Sequence, residues 1–537
     1  MAEAIERGRA GALRSPVNLT DNPIVHRALR TGRAGTEGRL SLGRLGGWLG
    51  LALLIPFVPI IFGRPFRLDQ VAGTMLVTLF CLVVGAFLFI GLQRMLGSFM
   101  KEREQNTLEF LQLSTLPSVS VILGYLAAGQ LPGYFAAVLL TPLLFLCAHL
   151  ASFPLLLLGS MLLSLIGFVF LLSVIFLHVG FWSAKVSELR AGGLYGTLFV
   201  IFVIAATFRP LLTQSGVVGA EWIDVVFTPF QLWGDFFRGF SGAPLAGGGD
   251  RVFWYGFSLP RVVAGWLLHI PVGVLLLLSL ARAFRNRECA PWSTGSGLCL
   301  VSWTLCILLG VLVETGRPLS LQLPLMGALA YLVCPIPWRR NLRTRLQALH
   351  ELSRSGGSWR GAWTESGASP VLLVGGSILL TVVSCWLVLL LGGGAPGEGP
   401  VPQSAWFAPL LLVLPLLGLA VGQQALHWRA PRLRFLLIAG YAFLVFAPLI
   451  FHWVEVQAPF PVIPEARWAL EAFSCVSPLV VMSMLAAGEG PGLPAILAGQ
   501  LVFLLPASFG LRDCWRVGAR LADRAREGGR GDGPIAP

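Results

Sequence analysis

The chain has 537 residues, 55% of them hydrophobic and 12% charged, with a mean hydropathy of +0.76 and a net charge of +13. Soluble domains carry about 25% charged residues, so this composition excludes a water-soluble globular protein and implies an integral membrane one. Apolar runs of about 20 residues recur along the whole length, which excludes a single anchor on a soluble domain.

Residues 1–22 carry no apolar core of the kind a cleavable signal peptide needs and read as a cytoplasmic tail. Predicted spans then follow at 46–63, 71–92, 119–148, 154–182, 193–213 and 260–281, and again at 296–314, 319–337, 369–393, 405–424, 434–452 and 491–511. The third run is too long for a simple crossing; with Pro117 before it and Pro132 and Pro142 inside, it is expected to begin as a surface segment and enter the bilayer near Gly129. Every second connection is basic: Arg27 to Arg44, then Arg94, Lys101 and Arg103, then Lys185 and Arg190, Arg282 to Arg287, Arg339 to Arg345, Arg429 to Arg434, and the tail from Arg512. Basic residues hold loops on the cytoplasmic side, so the charge marks topology and calls for no nucleic acid, and both termini are expected inside. Arg64 and Arg67, in the first outer loop, are the exception.

Residues 469–487 are apolar enough to cross, but a thirteenth crossing would put the basic tail outside. They are read as a partial insertion from the outer face, turning around Pro478, which is tolerable where protein buries the irregular backbone. A similar segment, Val225–Phe240, precedes the sixth span, and both carry a Ser/Thr-Pro pair: Thr228-Pro229 and Ser477-Pro478. The expected fold is therefore all-α and polytopic, with about twelve transmembrane helices in two six-helix halves: a tail at 1–22, halves at 23–290 and 291–511, and a basic tail at 512–537.

The segment Lys101–Gly124, KEREQNTLEFLQLSTLPSVSVILG, cannot cross a membrane. On a helix starting near Phe99, the residues Met100, Thr107, Leu108 and Leu111 share a side expected to face the membrane, with Glu102, Arg103 and Glu109 turned elsewhere. The bland alternative is a solvated face that only fixes topology. The runs ERE (102–104), TLEFL (107–111) and VILG (121–124) resemble the permease subunits of ABC-2 type ABC exporters. NPIVHRALR (Asn22–Arg30) is similar to that family's cytoplasmic lead-in helix, and WSAKVSELRAGG (Trp182–Gly193) to its inner loop between the fourth and fifth spans. Asn106, Thr115 and Tyr125 stand where the family favours Gly, Pro and Lys, and the second half's inner connection, Trp338–Pro370, lacks the acidic signature.

The resemblance implies a non-catalytic transport subunit of the bacterial inner membrane, driven by a separate ATPase that would bring ATP and Mg. Glu102, Arg103, Glu104, Thr107, Leu108 and Glu109 would form the ATPase-docking (coupling) helix, with the three glutamates meeting basic groups on the partner. Thr228, Pro229, Ser477 and Pro478 would belong to outer gate elements. One chain supplies both halves of the pathway, or two chains pair. The charge-poor interior favours a hydrophobic or amphipathic cargo, in contact with membrane lipids, and counts against an ion-coupled carrier. Arginine-rich, lysine-poor usage, with Lys101 and Lys185 alone, points to a GC-rich bacterial genome. No GxxxxGK[ST] loop occurs, so the chain holds no P-loop of its own. The nine cysteines are scattered singly and mostly in apolar runs, so neither a disulfide framework nor a metal site is expected. His178 and His269, inside predicted spans, are read as packing residues. The competing reading is a polytopic enzyme acting on lipid-linked substrates, for which Glu221, Asp224, Asp235 and Asp250 in the long outer loop have no recognisable spacing.

Overall fold

A computed structural model describes residues 22, 24–25, 47, 68–105, 107–113, 116–182, 251–285, 292, 294–313, 319–334, 370–392, 400–420, 437, 440–449, 472–488 and 492–503. Seven helices among them are long and apolar enough to cross a membrane: Val71–Glu104, Ser118–Leu150, Leu155–His178, Arg261–Phe284, Gly295–Val313, Leu373–Leu391 and Gln403–Ala420. Their outward faces are greasy. Leu156 is 83% and Val138 76% exposed, a surface suited to lipid and not to water. The chain is a multi-pass helical membrane protein. The expected spans at 46–63 and 193–213 lie outside the described residues, as do Val225–Phe240, the Trp338–Pro370 connection and the basic tail.

By its internal contacts the chain divides into two compact units: 1–209, 223–252 and 259–286 in the first, and 210–222, 253–258 and 287–537 in the second. The first continuous element among the described residues of the first unit is α1 (Leu68–Gly85), which passes through a π-helical turn (Ala86–Gly91) into α2 (Leu92–Glu104). A short α3 (Thr107–Leu113) follows, then α4 (Ser118–Leu150), α5 (Leu155–Trp182) and, after a hairpin of β1 (Arg251–Trp254) and β2 (Phe257–Pro260), α6 (Arg261–Arg285). α4 packs along α1, the π turn and α2, while α5 packs on α6 and α2. Leu76, Leu79, Phe80, Val83 and Phe87 interdigitate with Leu140, Leu144, Leu158, Met161 and Leu165.

α4 runs unbroken for 33 residues through Pro132 and Pro142, as one continuous helix with no break at Gly129. Its first turns are buried in protein: Val121 and Tyr125 are 0% and 1% exposed. Close helix approach explains the fit, since a side-chain carbon added at Gly129 would lie 2.6 Å from the Cα of Met95. Small residues at a helix crossing permit that spacing.

The second unit contains α7 (Thr294–Val313), α8 (Leu319–Val333), α9 (Pro370–Gly392), a 3-10 helix (Gln403–Leu412) running into helical residues 413–420, the helix Gly440–Leu449, α10 (Pro478–Ala486) and α11 (Leu493–Leu501). α9 packs against α7 and α8, and α10 against α8 and the 3-10 helix. The hairpin tip belongs to this unit. Its turn places Tyr255 at φ 46° and Gly256 at φ 78°, the left-handed pair of a type I′ turn. Tyr255 donates its N–H to Gly310 O at 3.3 Å and its hydroxyl to Cys306 O at 3.1 Å. Burial and then the adjacent Cys306 thiol push the Tyr255 hydroxyl pKa up, keeping it a neutral donor.

Candidate functional site

The charged connection after α2 folds differently from a helix lying flat on a membrane. α2 ends at Glu104, where Gln105 N–H closes on Lys101 O at 3.0 Å, and the chain restarts as α3. Thr107 bridges the break by donating its hydroxyl to Glu102 O at 3.0 Å. That bond satisfies one of the carbonyls a helix leaves open at its C-terminus.

Glu102 does not point to solvent. It is 6% exposed, and its Oε2 accepts a hydrogen bond from the Tyr125 hydroxyl on α4. Tyr125 is itself held edge-on by Phe99, with centroids 5.4 Å apart at 83°. Arg103 reaches the other way and donates from Nη1 to Gly180 O near the end of α5, at 2.8 Å. Asn22, 98 residues upstream of Ser120, is 3% exposed; its Nδ2 donates to Ser120 O at 2.6 Å while its Oδ1 accepts from Ile24 N at 3.0 Å. The lead-in residue, the connection and the first turns of α4 thus meet over a few turns, and each bond ties a buried polar group that would otherwise be costly.

Of the residues assigned to docking, Glu102 and Arg103 are used within the chain. Glu102, expected to offer its carboxyl to a partner, is buried and accepts from the Tyr125 hydroxyl within the chain. Met100 and Leu108, expected to face the membrane, are 6% and 1% exposed and bury against protein. Lys101, Glu104, Gln105 and Thr107 form the exposed tip. Glu109 lies within α3, but its side chain is outside the described residues.

Thr228 and Pro229 are outside the described residues too. Ser477 and Pro478 are described, in the second unit. Helical residues 472–476 stop at Ser477, which caps α10 with its side chain accepting from Val480 N at 3.5 Å, and Pro478 takes the first helical position. The Ser477 hydroxyl donates to Val445 O at 2.6 Å, and Gln500 Nε2 donates to Cys475 O and Val476 O at 3.3 and 3.2 Å. This break is buried, with Ser477, Leu479 and Val480 all 0% exposed. The protein supplies the hydrogen bonds that lipid could not.

Sequence reading missed Tyr125, Gly180 and Ser120 as partners, together with a buried pair in which Gln130 Nε2 donates to Ser173 Oγ at 2.8 Å. The sequence marks Tyr125 only as a residue standing where the permeases it resembles favour Lys, with nothing to pair it with Glu102. Among the described residues no group of three or more His, Cys, Asp or Glu could hold a metal ion. No protein-family model, no curated protein and no solved structure matches the chain.

Proposed function

We propose that the chain is the membrane-spanning permease subunit of an ABC-2 type exporter, moving a hydrophobic or amphipathic molecule across a bacterial inner membrane under the power of a separate ATPase. The observation that carries the reading is the ordered connection from Lys101 to Leu113: a short helix with an exposed polar tip, tied by Glu102 and Arg103 to α4 and α5. A loop that only joined two spans would need neither the helix nor the ties. The resemblance of ERE and TLEFL to the family's docking segment supports it, with Glu104 and Glu109 now the groups offered to a partner, and Arg103 and Glu102 holding the helix in place.

The basic residues in alternate connections support about twelve spans with both termini inside. Division of the chain near residue 286 is compatible with two halves, each contributing to one pathway, or with a homodimer in which the second half has another task. The buried break at Ser477-Pro478 supports an outer element of the gating kind in the second half, and Thr228-Pro229 repeats its pattern in the first.

Affinity purification of the full-length chain from its native membranes, with co-eluting proteins identified by mass, tests this. The ATPase should co-elute with the wild type, and Glu104→Arg/Glu109→Arg should lower the retained fraction by about ten-fold, which corresponds to about 1.4 kcal/mol. Full retention by that variant would remove the docking assignment.

A further inference from the structure

The geometry points to a helical stalk that projects about 18 Å out of the bilayer, so that the charged tip stands away from the membrane surface and does not lie on it. The helix Val71–Glu104 has 34 residues and Ser118–Leu150 has 33, each about 50 Å long at 1.5 Å per residue. A hydrocarbon core of about 30 Å needs only about 20 of them, and an ordinary tilt of about 20° absorbs a few ångströms more. The excess lies at one end, and the side chains say which.

On the first helix the apolar stretch runs from Val71 to Gly91, about 30 Å, between the exposed Asp69 on one side and Gln93 and Arg94 on the other. Phe89 is the last large apolar group facing outward, at 57% exposure. Beyond it the outward residues are Gln93, Gly97, Ser98, Lys101 and Glu104, and a bilayer interior does not admit that face. On α4 the outward apolar groups begin at Tyr134 and Phe135 and continue through Val138, Leu139 and Leu146 to Leu150; between Ser118 and Gly133 no residue of α4 is exposed. The stretch Gln130–Leu150 is again about 30 Å.

These two boundaries coincide. Gln130 packs on Gly91, the last residue of the π turn, and donates to Ser173. Lipid therefore ends at the level of Gly91 and Gln130, and Leu92–Glu104 and Ser118–Gly129 stand together beyond it. Along the stalk Met95 packs on Gly129, Phe99 stacks on Tyr125, and Glu102 accepts from Tyr125. At the same depth Arg103 bonds to Gly180, beyond Ile175, the last outward apolar residue among the described side chains of α5. Arg94, Lys101 and Arg103 put the stalk on the cytoplasmic side. A rigid antiparallel pair of this length carries the tip to a water-soluble partner, and the stalk stands whether or not that partner is an ATPase.

The test is cysteine labelling of the full chain in inside-out membrane vesicles with a membrane-impermeant maleimide, read peptide by peptide by mass so that native cysteines do not interfere. Ser98→Cys and, as a second variant, Gly97→Cys face outward with open space around Gly97. Both should label at least about ten-fold faster than Phe89→Cys, because a thiol in hydrocarbon neither ionises nor meets the reagent. Equal, slow labelling at residues 89, 97 and 98 would place the stalk within the bilayer and overturn the inference. Labelling of Ser98→Cys only in right-side-out vesicles would overturn its cytoplasmic side.

Discussion

Glu102 and Tyr125 form a buried, hydrogen-bonded side-chain pair in the first unit. The carboxyl is buried and the phenol above it is 1% exposed, so removing either partner takes a hydrogen bond from a buried polar group. Tyr125→Phe or Glu102→Leu should each destabilise the detergent-solubilised chain by about 1–3 kcal/mol. The double variant should cost clearly less than the sum of the two, as thermal unfolding would record; strict additivity would mean the pair does not interact. Gly129→Val tests the helix crossing beneath them. Its new carbon falls against Met95, and overpacking costs about 1–3 kcal/mol. Gly97→Ala, with nothing within 4 Å, should be neutral or gain up to about 1 kcal/mol from helix propensity. At this scale the sequence was legible as composition and not as contact. An amphipathic pattern distinguishes an apolar side from a polar one, but it does not say that Glu102 and Arg103 reach protein while Gln93, Ser98 and Lys101 stay exposed, and a partner 23 residues away across a turn has no local signature.

Among elements, the long apolar helices were readable because a run of about 20 apolar residues has few alternatives. The break at Ser477-Pro478 was readable for a related reason: Ser caps a helix and Pro opens one. Three things were not. That α4 runs unbroken through Pro132 and Pro142 is set by its neighbours, as membrane helices tolerate proline inside. The π turn at Ala86–Gly91 and the 3-10 helix Gln403–Leu412 depend on packing and carry no sequence mark. The break makes its own prediction. Ser477→Ala removes both the cap on Val480 and the bond to Val445 and should cost about 1–2 kcal/mol, whereas Ser477→Thr, which keeps the hydroxyl, should retain most of the stability. A melting temperature unchanged by Ser477→Ala would show that the bonds at the break contribute nothing.

For the molecule as a whole, the proposed function makes one claim: a push arriving at the charged tip after α2 is passed to α4 and α5 through buried hydrogen bonds and becomes movement of helices in lipid. That claim requires a partner that hydrolyses nucleotide, since the chain has no P-loop. The most direct measurement is MgATP hydrolysis by the complex purified through a tag on this chain and placed in lipid nanodiscs. The account predicts vanadate-sensitive hydrolysis that co-elutes with the wild-type chain and falls by about ten-fold, equivalent to about 1.4 kcal/mol of lost association, when Glu104→Arg/Glu109→Arg replaces it. A folded, monodisperse wild-type chain that brings no hydrolysis with it would contradict the account.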